Sequence, residues 1–328
     1  MVLDSVSDFG LEIRRATHDD YAAVADFTGD IWPDRGGDYI PRVYHEWLED
    51  EPGQGKKTFL AEVDGEPAGI VQGVMLTDDE AWFQSLRVAA DYRRRGVSRR
   101  LNEATFEWAR EQGATVGRVM IFSWNAASFG AARTSGFEPI TEFRFAHPDP
   151  DPNAAAGLEA EVDDAYRVSS DPTAAWRYWT HSDAREHLDG LAMAPEESWA
   201  VRELTRADLA ADETAVFAVE GPDGLAGMAY RSRMYEREVD GDSSDDETGT
   251  ESETETETWA EYGVGAWESV DAARALFAAI ARDAADLGAD ETRVLIPETP
   301  RHVTDVPYAG ADISEEPDFV LGIDLTGE

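Results

Sequence analysis

Arg93-Arg94-Arg95-Gly96-Val97-Ser98-Arg99-Arg100 decides how this chain is read. It follows a strand pattern, Trp82 to Val88, and opens an amphipathic stretch, Val97 to Gln112, that reads as a helix. Glycine at this junction lets the backbone turn its N–H groups inward with no Cβ in the way. Those amides, backed by the positive end of the helix dipole, make an anion site. Five arginines in eight residues surround it, in a chain whose formal charge is −41. A small polyanion such as a phosphate fits that placement. An Arg cluster alone reads rather as a solvated helix start paired to nearby acids, so the neighbouring segments decide.

Upstream stands Leu86-Arg87-Val88. Downstream, Asn125-x-x-Ser128 follows a predicted strand, Gly117 to Ser123, and Gly136-Phe137 closes the next helical stretch. Arg93-x-x-Gly96-x-Ser98 resembles the R/Q-x-x-G-x-G/A motif of the GNAT superfamily of N-acetyltransferases, and the Asn125 to Phe137 segment resembles that family's second signature. The two stand in the family's order, and the resemblance covers about residues 11 to 147. Ser98 stands where the motif has its third small residue.

The resemblance implies a GNAT-type α/β (α+β) fold, a mixed sheet flanked by helices, with acetyl-CoA lying in a V-shaped gap between two strands, one ending at Val88 and one beginning at Arg118. It implies that backbone groups of Leu86 and Val88 bind the pantetheine and acetyl carbonyl. Arg93, Arg94, Arg95, Gly96, Val97 and Ser98 would hold the pyrophosphate, and Asn125 and Ser128 would border the pantetheine arm. Asn125 reads equally as a helix cap. The reaction implied is direct attack of a primary amine on the thioester, with no metal, the oxyanion being met by backbone N–H near Leu86. An alkylammonium with a pKa of about 10.4 must first lose a proton. Glu80, at the head of the Trp82 strand, is the candidate base, against its reading as one of many surface acids. Many relatives protonate the departing thiolate with a Tyr four residues before Gly-Phe; that position is Ala132 here. Tyr92 or Tyr44 is then the candidate acid, or water serves, or the domain is a non-catalytic acyl-CoA-binding scaffold.

The whole-chain composition narrows the partners. There are 69 acidic and 28 basic residues, and lysine appears only at Lys56 and Lys57. Such a surface repels itself in dilute buffer, whereas in molar salt a Debye length of about 3 Å screens the repulsion. A halophilic, haloarchaeal-type cytoplasm is the expected home. Nucleic acid and anionic membranes meet a field of the wrong sign. The absence of cysteine excludes disulfides and thiolate metal sites. Met1 to Gly10 lacks an apolar signal core, and no run approaches 18 apolar residues, so a cytoplasmic protein is expected. A small-molecule or peptide amine is the expected partner, and a homodimer is left open.

At 328 residues two domains are expected. The Asp149-Pro150-Asp151-Pro152-Asn153 stretch marks a linker, placed over 148–159, between a domain at 11–147 and a second at 160–328. The tract 240–258, Asp, Glu, Ser, Thr and Gly with no apolar residue, is expected to be a disordered loop. The second domain looks like a diverged copy of the first: Gly113-Ala114 matches Gly288-Ala289 and Arg118-Val119 matches Arg293-Val294, at a constant offset of 175. The bland alternative is that all helix-Gly-Ala-strand units look alike. At that offset Arg93 faces Glu268 and Gly96 faces Asp271, so the second copy is expected not to hold a pyrophosphate.

Overall fold

The computed structural model describes residues 10–29, 31–32, 37–49, 55–155, 165–240 and 254–327. They fall into two compact units that interleave along the chain. The first takes the described residues of Met1–Ile121, Asn125–Pro139 and Val320–Glu328, and the second takes those of Phe122–Trp124 and Ile140–Phe319. Contiguous stretches meeting at a 148–159 linker are therefore not how the units form. The strand that follows the first unit's last helix mostly joins the second, and most of the C-terminal strand joins the first. Linker positions 156–159 lie outside the described residues.

In the first unit the strands are β1 (Leu11–Arg15), β2 (Lys56–Val63), β3 (Glu66–Met75), β4 (Glu80–Val88) and β5 (Val116–Phe122). They lie side by side in that order, followed by the C-terminal strand Asp318–Asp324. β1 to β4 pair antiparallel, and β4 with β5 is parallel. The β2–β3 turn sits at Asp64-Gly65, both with positive φ (53° and 87°), as a tight hairpin matched to strand twist requires. Helices α1 (Tyr21–Gly29) and α2 (Ile40–Trp47) cover one face, where Val24, Ile40, Tyr44, Leu60 and Ile70 are buried together. Helix α3 (Val97–Gln112) packs on β3 and β4 through Leu101, Thr105, Phe106, Trp108 and Ala109. These recur at helical spacing on one face. α3 lies close because β3 carries Gly73: a Cβ there would stand 2.7 Å from Trp108 Cζ3. Helix α4 (Ala126–Thr134) follows β5.

The second unit contains β6 (Glu138–His147) from Ile140 onward, β7 (Arg167–Ser169), β8 (Leu191–Met193), β9 (Val201–Glu203), β10 (Val216–Gly221), β11 (Gly224–Asp240), β12 (Thr254–Trp267), β13 (Glu291–Pro297) and β14 (Asp312–Ile313). Its sheet order is β6-β13-β12-β11-β10-β7, with β14 on β6, while β8 and β9 pair separately. β11 and β12 form a long antiparallel ladder, and β12 pairs parallel with β13. The helix Val270–Asp286 buries ten residues against this sheet, seven of them alanine. The tract expected as loop over 240–258 is shorter: Thr254–Thr258 already belong to β12. Backbone pairing such as Glu236 opposite Thr258 needs no apolar side chain, and Trp259 stacking on Tyr235 anchors the ladder there. Residues 241–253 lie outside the described ones. The expected mixed α/β fold, a mixed sheet flanked by helices, is what the chain adopts. Among the described residues no helix is long and apolar enough to cross a membrane.

Candidate functional site

β4 and β5 pair over three residues only, Glu80 with Val116, Ala81 with Gly117 and Trp82 with Arg118, and past that point they share no ladder. The strand pair therefore opens toward Val88. β4 also carries a bulge. Gln84 stands opposite Gln72 and Arg87 opposite Ile70, so Ser85 and Leu86 together face one residue, Val71. Ser85 has φ +60°, an uncommon conformation for a residue with a side chain. A bulge bends its strand and interrupts the ladder, here over Ser85 and Leu86. Just before it, Gln84 donates to Gln72 (2.7 Å), and fully buried Gln72 donates to Thr58 Oγ1 (3.0 Å), which pins β4 on its neighbours.

Beyond Val88 comes a 3-10 turn, Ala90–Tyr92, and then Gly96 at φ +85°, ψ 2°, the cap of α3. No side chain caps that helix, and a Cβ on Gly96 would meet nothing within 4 Å. The first amides of α3 thus have no capping side chain as acceptor, as an anion cradle requires. Arg94 is left-handed too (φ +60°). Arg93, Arg94 and Arg95 are exposed in the turn, and Arg93 Nε donates to Val88 O at 3.1 Å, tying the turn to the strand end. Arg99 and Arg100 lie one turn on, each 3.4 Å from Glu103. Val97 is buried and seats the helix start, while Ser98 is half-buried. Leu86, Val88, Arg93–Arg95, Gly96, Val97 and Ser98 are thus brought to one end of β4.

Asn125 caps α4: its side-chain oxygen accepts from Ser128 N at 3.2 Å. That bond leaves the carboxamide N–H groups for another partner. Ala132 is buried in α4 (7% exposed) and brings no hydroxyl. Phe137 packs on Phe83 and Phe106. Tyr92 is half-buried beside the turn, with the Arg95 guanidinium 5.7 Å from its ring centre. Tyr44 is fully buried and donates to Thr17 O at 2.7 Å, and burial pushes its hydroxyl well above the ordinary phenol range. It cannot reach a reacting group.

Glu80 does not join the others. It begins β4, roughly 20 Å along the strand from Leu86 at about 3.3 Å per residue. Glu80 is 8% exposed and its carboxylate pairs with Arg118 on the adjacent strand. That pair neutralises a half-buried arginine at the closed end of the strand pair, so the geometry makes Glu80 structural rather than a base for chemistry at Leu86. Surface acids outnumber every other type here, so position alone could not mark this one as buried.

A second constellation escapes local reading. Asp38, its side chain fully buried, accepts from Arg87 Nε at 2.6 Å and from Ile40 N at 3.1 Å. Arg87 also lies 4.3 Å over the Trp32 ring. Asp38 thereby ties the start of α2 to β4 just past the bulge and holds Tyr39, 37% exposed, against it; the Tyr39 and Ser85 hydroxyls are hydrogen-bonded. Forty-nine residues separate Asp38 from Arg87. Arg87 next to Leu86 was the only local hint.

Residues 21–137 match the sequence model of the Acetyltransferase (GNAT) family. No curated protein matches the chain. Among solved structures, a GCN5-related N-acetyltransferase from Sphaerobacter thermophilus is similar over 96% of this chain and 96% of its own, at 11% identity and a TM-score of 0.52, a likeness of fold. A ribosomal-protein-alanine N-acetyltransferase from Brucella melitensis shares 28% identity over 40% of this chain and 88% of its own, with a TM-score of 0.35.

Proposed function

We propose that the first unit transfers an acetyl group from acetyl-CoA to a primary amine by direct attack. The observation that carries this reading is the opening of β4 from β5 toward the uncapped, left-handed Gly96 start of α3. The residues present fit the co-substrate: an amide cradle without a side-chain cap, three exposed arginines beside it, and a bulged strand edge between open walls. Amides of Arg94 to Ser98 would hold the pyrophosphate, with Arg93, Arg94 and Arg95 adding charge. Leu86 and Val88 would pair with the pantetheine arm like an added strand, and Asn125, with Ser128 behind it, would border that arm. Bound acetyl-CoA would supply an activated acyl carbonyl; the Leu86 N–H, at the bulge, would meet the negative charge that develops on its oxygen. The amine arrives as the free base or loses its proton to water.

Buried Ala132 favours a second reading, acyl-CoA binding without turnover. Thiol release from acetyl-CoA, followed over a panel of amines in molar KCl, separates the two. Amine-dependent release supports transfer, tight CoA binding with no release on any amine supports the second reading, and absence of CoA binding sinks both.

The second unit fits a diverged copy that does not hold CoA. Between Trp267 and the helix Val270–Asp286 only Glu268 and Ser269 intervene, where the first unit has Ala89 to Gly96, and Ser269 caps the helix through its own side chain onto Ala272 N. There the Ser269 side chain already takes one helix-start amide, and Glu268 beside it would repel a diphosphate. The acidic surface supports a salt-accumulating cytoplasm as the setting.

A further inference from the structure

We propose that Tyr39 is the proton donor to the departing thiolate, with Ser85 as the residue that positions it; this rests on the transfer reading above. If Leu86 N–H meets the acyl oxygen, the sulfur leaves from the neighbourhood of the bulge, and a donor must place its proton there. The first unit has four tyrosines. Tyr44 is buried with its hydroxyl on Thr17 O. Tyr21 packs with Tyr44 and His45 at ring distances of 5.7 and 4.7 Å. Tyr92 stands in the turn beyond Val88, next to Arg95. Tyr39 alone brings its hydroxyl to the bulge, through Ser85, one residue from Leu86. It is also solvent-accessible, so it can exchange protons with water.

The surroundings look built for positioning. Asp38 anchors the backbone on either side of Tyr39: it takes the Ile40 N–H and clamps Arg87. The Tyr39 ring is 6.0 Å from Trp47 and 6.0 Å from the Arg87 guanidinium, which limits its swing. Ser85 has a left-handed backbone at the bulge, and its hydroxyl is hydrogen-bonded to that of Tyr39. A phenol with pKa about 10 lies close to a thiol at about 8.5, whereas an aliphatic hydroxyl is far less acidic, so Tyr39 rather than Ser85 gives up the proton.

The balance is complete. The amine nitrogen bonds to the acyl carbon, the carbon–sulfur bond breaks with its electron pair on sulfur, and the Tyr39 O–H delivers a proton to that sulfur. Ser85 donates to the phenolate so formed. The proton shed by the new amide nitrogen passes through water to restore the phenol.

The test compares wild type with Tyr39→Phe and Ser85→Ala in molar KCl, by steady-state kinetics from pH 6 to 10.5 and calorimetry with CoA. Tyr39→Phe should lower kcat about a hundredfold, the lower end for acid–base groups, leave CoA affinity and the amine KM within twofold, and abolish the fall in kcat as pH rises toward the phenol range. Ser85→Ala should lower kcat less and shift that fall rather than abolish it. A Tyr39→Phe kcat within twofold of wild type overturns the assignment, as does a rise in amine KM alone or persistence of the alkaline fall. Should wild type itself release no thiol with any amine, the transfer reading fails and takes this one with it; active wild type with an unaffected variant removes Tyr39 alone.

Discussion

Gly96 is where a single substitution separates backbone strain from charge. At φ +85° any residue with a Cβ adopts a left-handed conformation costing about 1–2 kcal/mol, and no steric term adds to it, because the new Cβ meets nothing within 4 Å. Gly96→Ala and Gly96→Asp should both therefore lose only about 2–8 °C in Tm, at ~2–4 °C per kcal/mol for a body of this size. Binding should divide them. A carboxylate about 5 Å from one phosphate charge is repelled by ~3 kcal/mol at an effective dielectric constant of about 20, which is over a hundredfold in Kd. Calorimetric titration of CoA at low and at molar KCl should give that loss for Gly96→Asp at low salt, shrinking toward tenfold as the Debye length falls to about 3 Å. Gly96→Ala should stay within about fivefold of wild type, since an added methyl carries no charge. Equal Kd values for the Asp and Ala variants, both folded, would refute a diphosphate at this helix start.

Removal of residues 320–328 should abolish CoA binding although every residue of the proposed cradle remains. The C-terminal strand completes the first unit's sheet, Leu325 accepts from Arg110 Nε at 3.0 Å and donates to Thr115 O at 2.9 Å, and Ile323 lies where a Gly117 Cβ would be 3.2 Å away; a truncated chain that titrates CoA normally would contradict this. In the second unit, burial first and then Glu316 push the Asp318 carboxyl up to about 7 from 3.8, against Arg293. The folded chain thus keeps a proton that the unfolded chain releases, so this group's contribution is full below about pH 4 and is lost as pH rises through about 7. Burial also lowers His302 to about 3, which weakens the fold as pH falls below about 6.5, but that term cancels between variants. Asp318→Asn should therefore gain in urea midpoint over wild type at pH 8 relative to pH 4, by at most about 4 kcal/mol; a pH-independent difference would show that Asp318 ionises freely.

How much was legible in the sequence follows from the range of each interaction. The helix Val97–Gln112 was readable because its face repeats at helical spacing and left-handed glycines, Gly96 and Gly113, stand at both ends. The hairpin at Asp64-Gly65 was readable for the same local reason. The cradle residues are contiguous, so a motif could find them. Asp38, Tyr39 and Ser85 meet only through the fold, and a three-residue motif on β4 carries no sign of α2. The composition of the units was equally hidden: β6 and the C-terminal strand read as strands wherever they pair, and which sheet accepts each depends on which edge stands open. Glu80 was misplaced because proximity in sequence to Trp82 says nothing of which end of an opened strand pair it occupies.

The residues that close each strand pair fit the proposed diverged-copy relation of the two units. In the first, β4 and β5 run parallel for three residues, and Arg118 of β5 pairs with Glu80 of β4. In the second, β12 and β13 run parallel for four, and Arg293 of β13, 175 residues after Arg118, pairs with fully buried Glu261 of β12. The strand before each pair carries a glycine against a backbone carbonyl: a Cβ on Gly69 would be 2.8 Å from Arg87 O, and one on Gly227 would be 2.9 Å from Ala266 O. The two pairs differ in register, since Arg118 stands opposite Trp82, two residues from Glu80, whereas Arg293 stands opposite Glu261 itself; a charge taken out of water is tolerated only with a partner, and each strand pair supplies one. The eight residues from Ala89 to Gly96 shrink to two, and the strand ends in Trp267, buried against His302 and donating to Asp305 at 3.0 Å. Both units thus have a short parallel strand pair, while the turn proposed to hold a polyanion is present only before Val97.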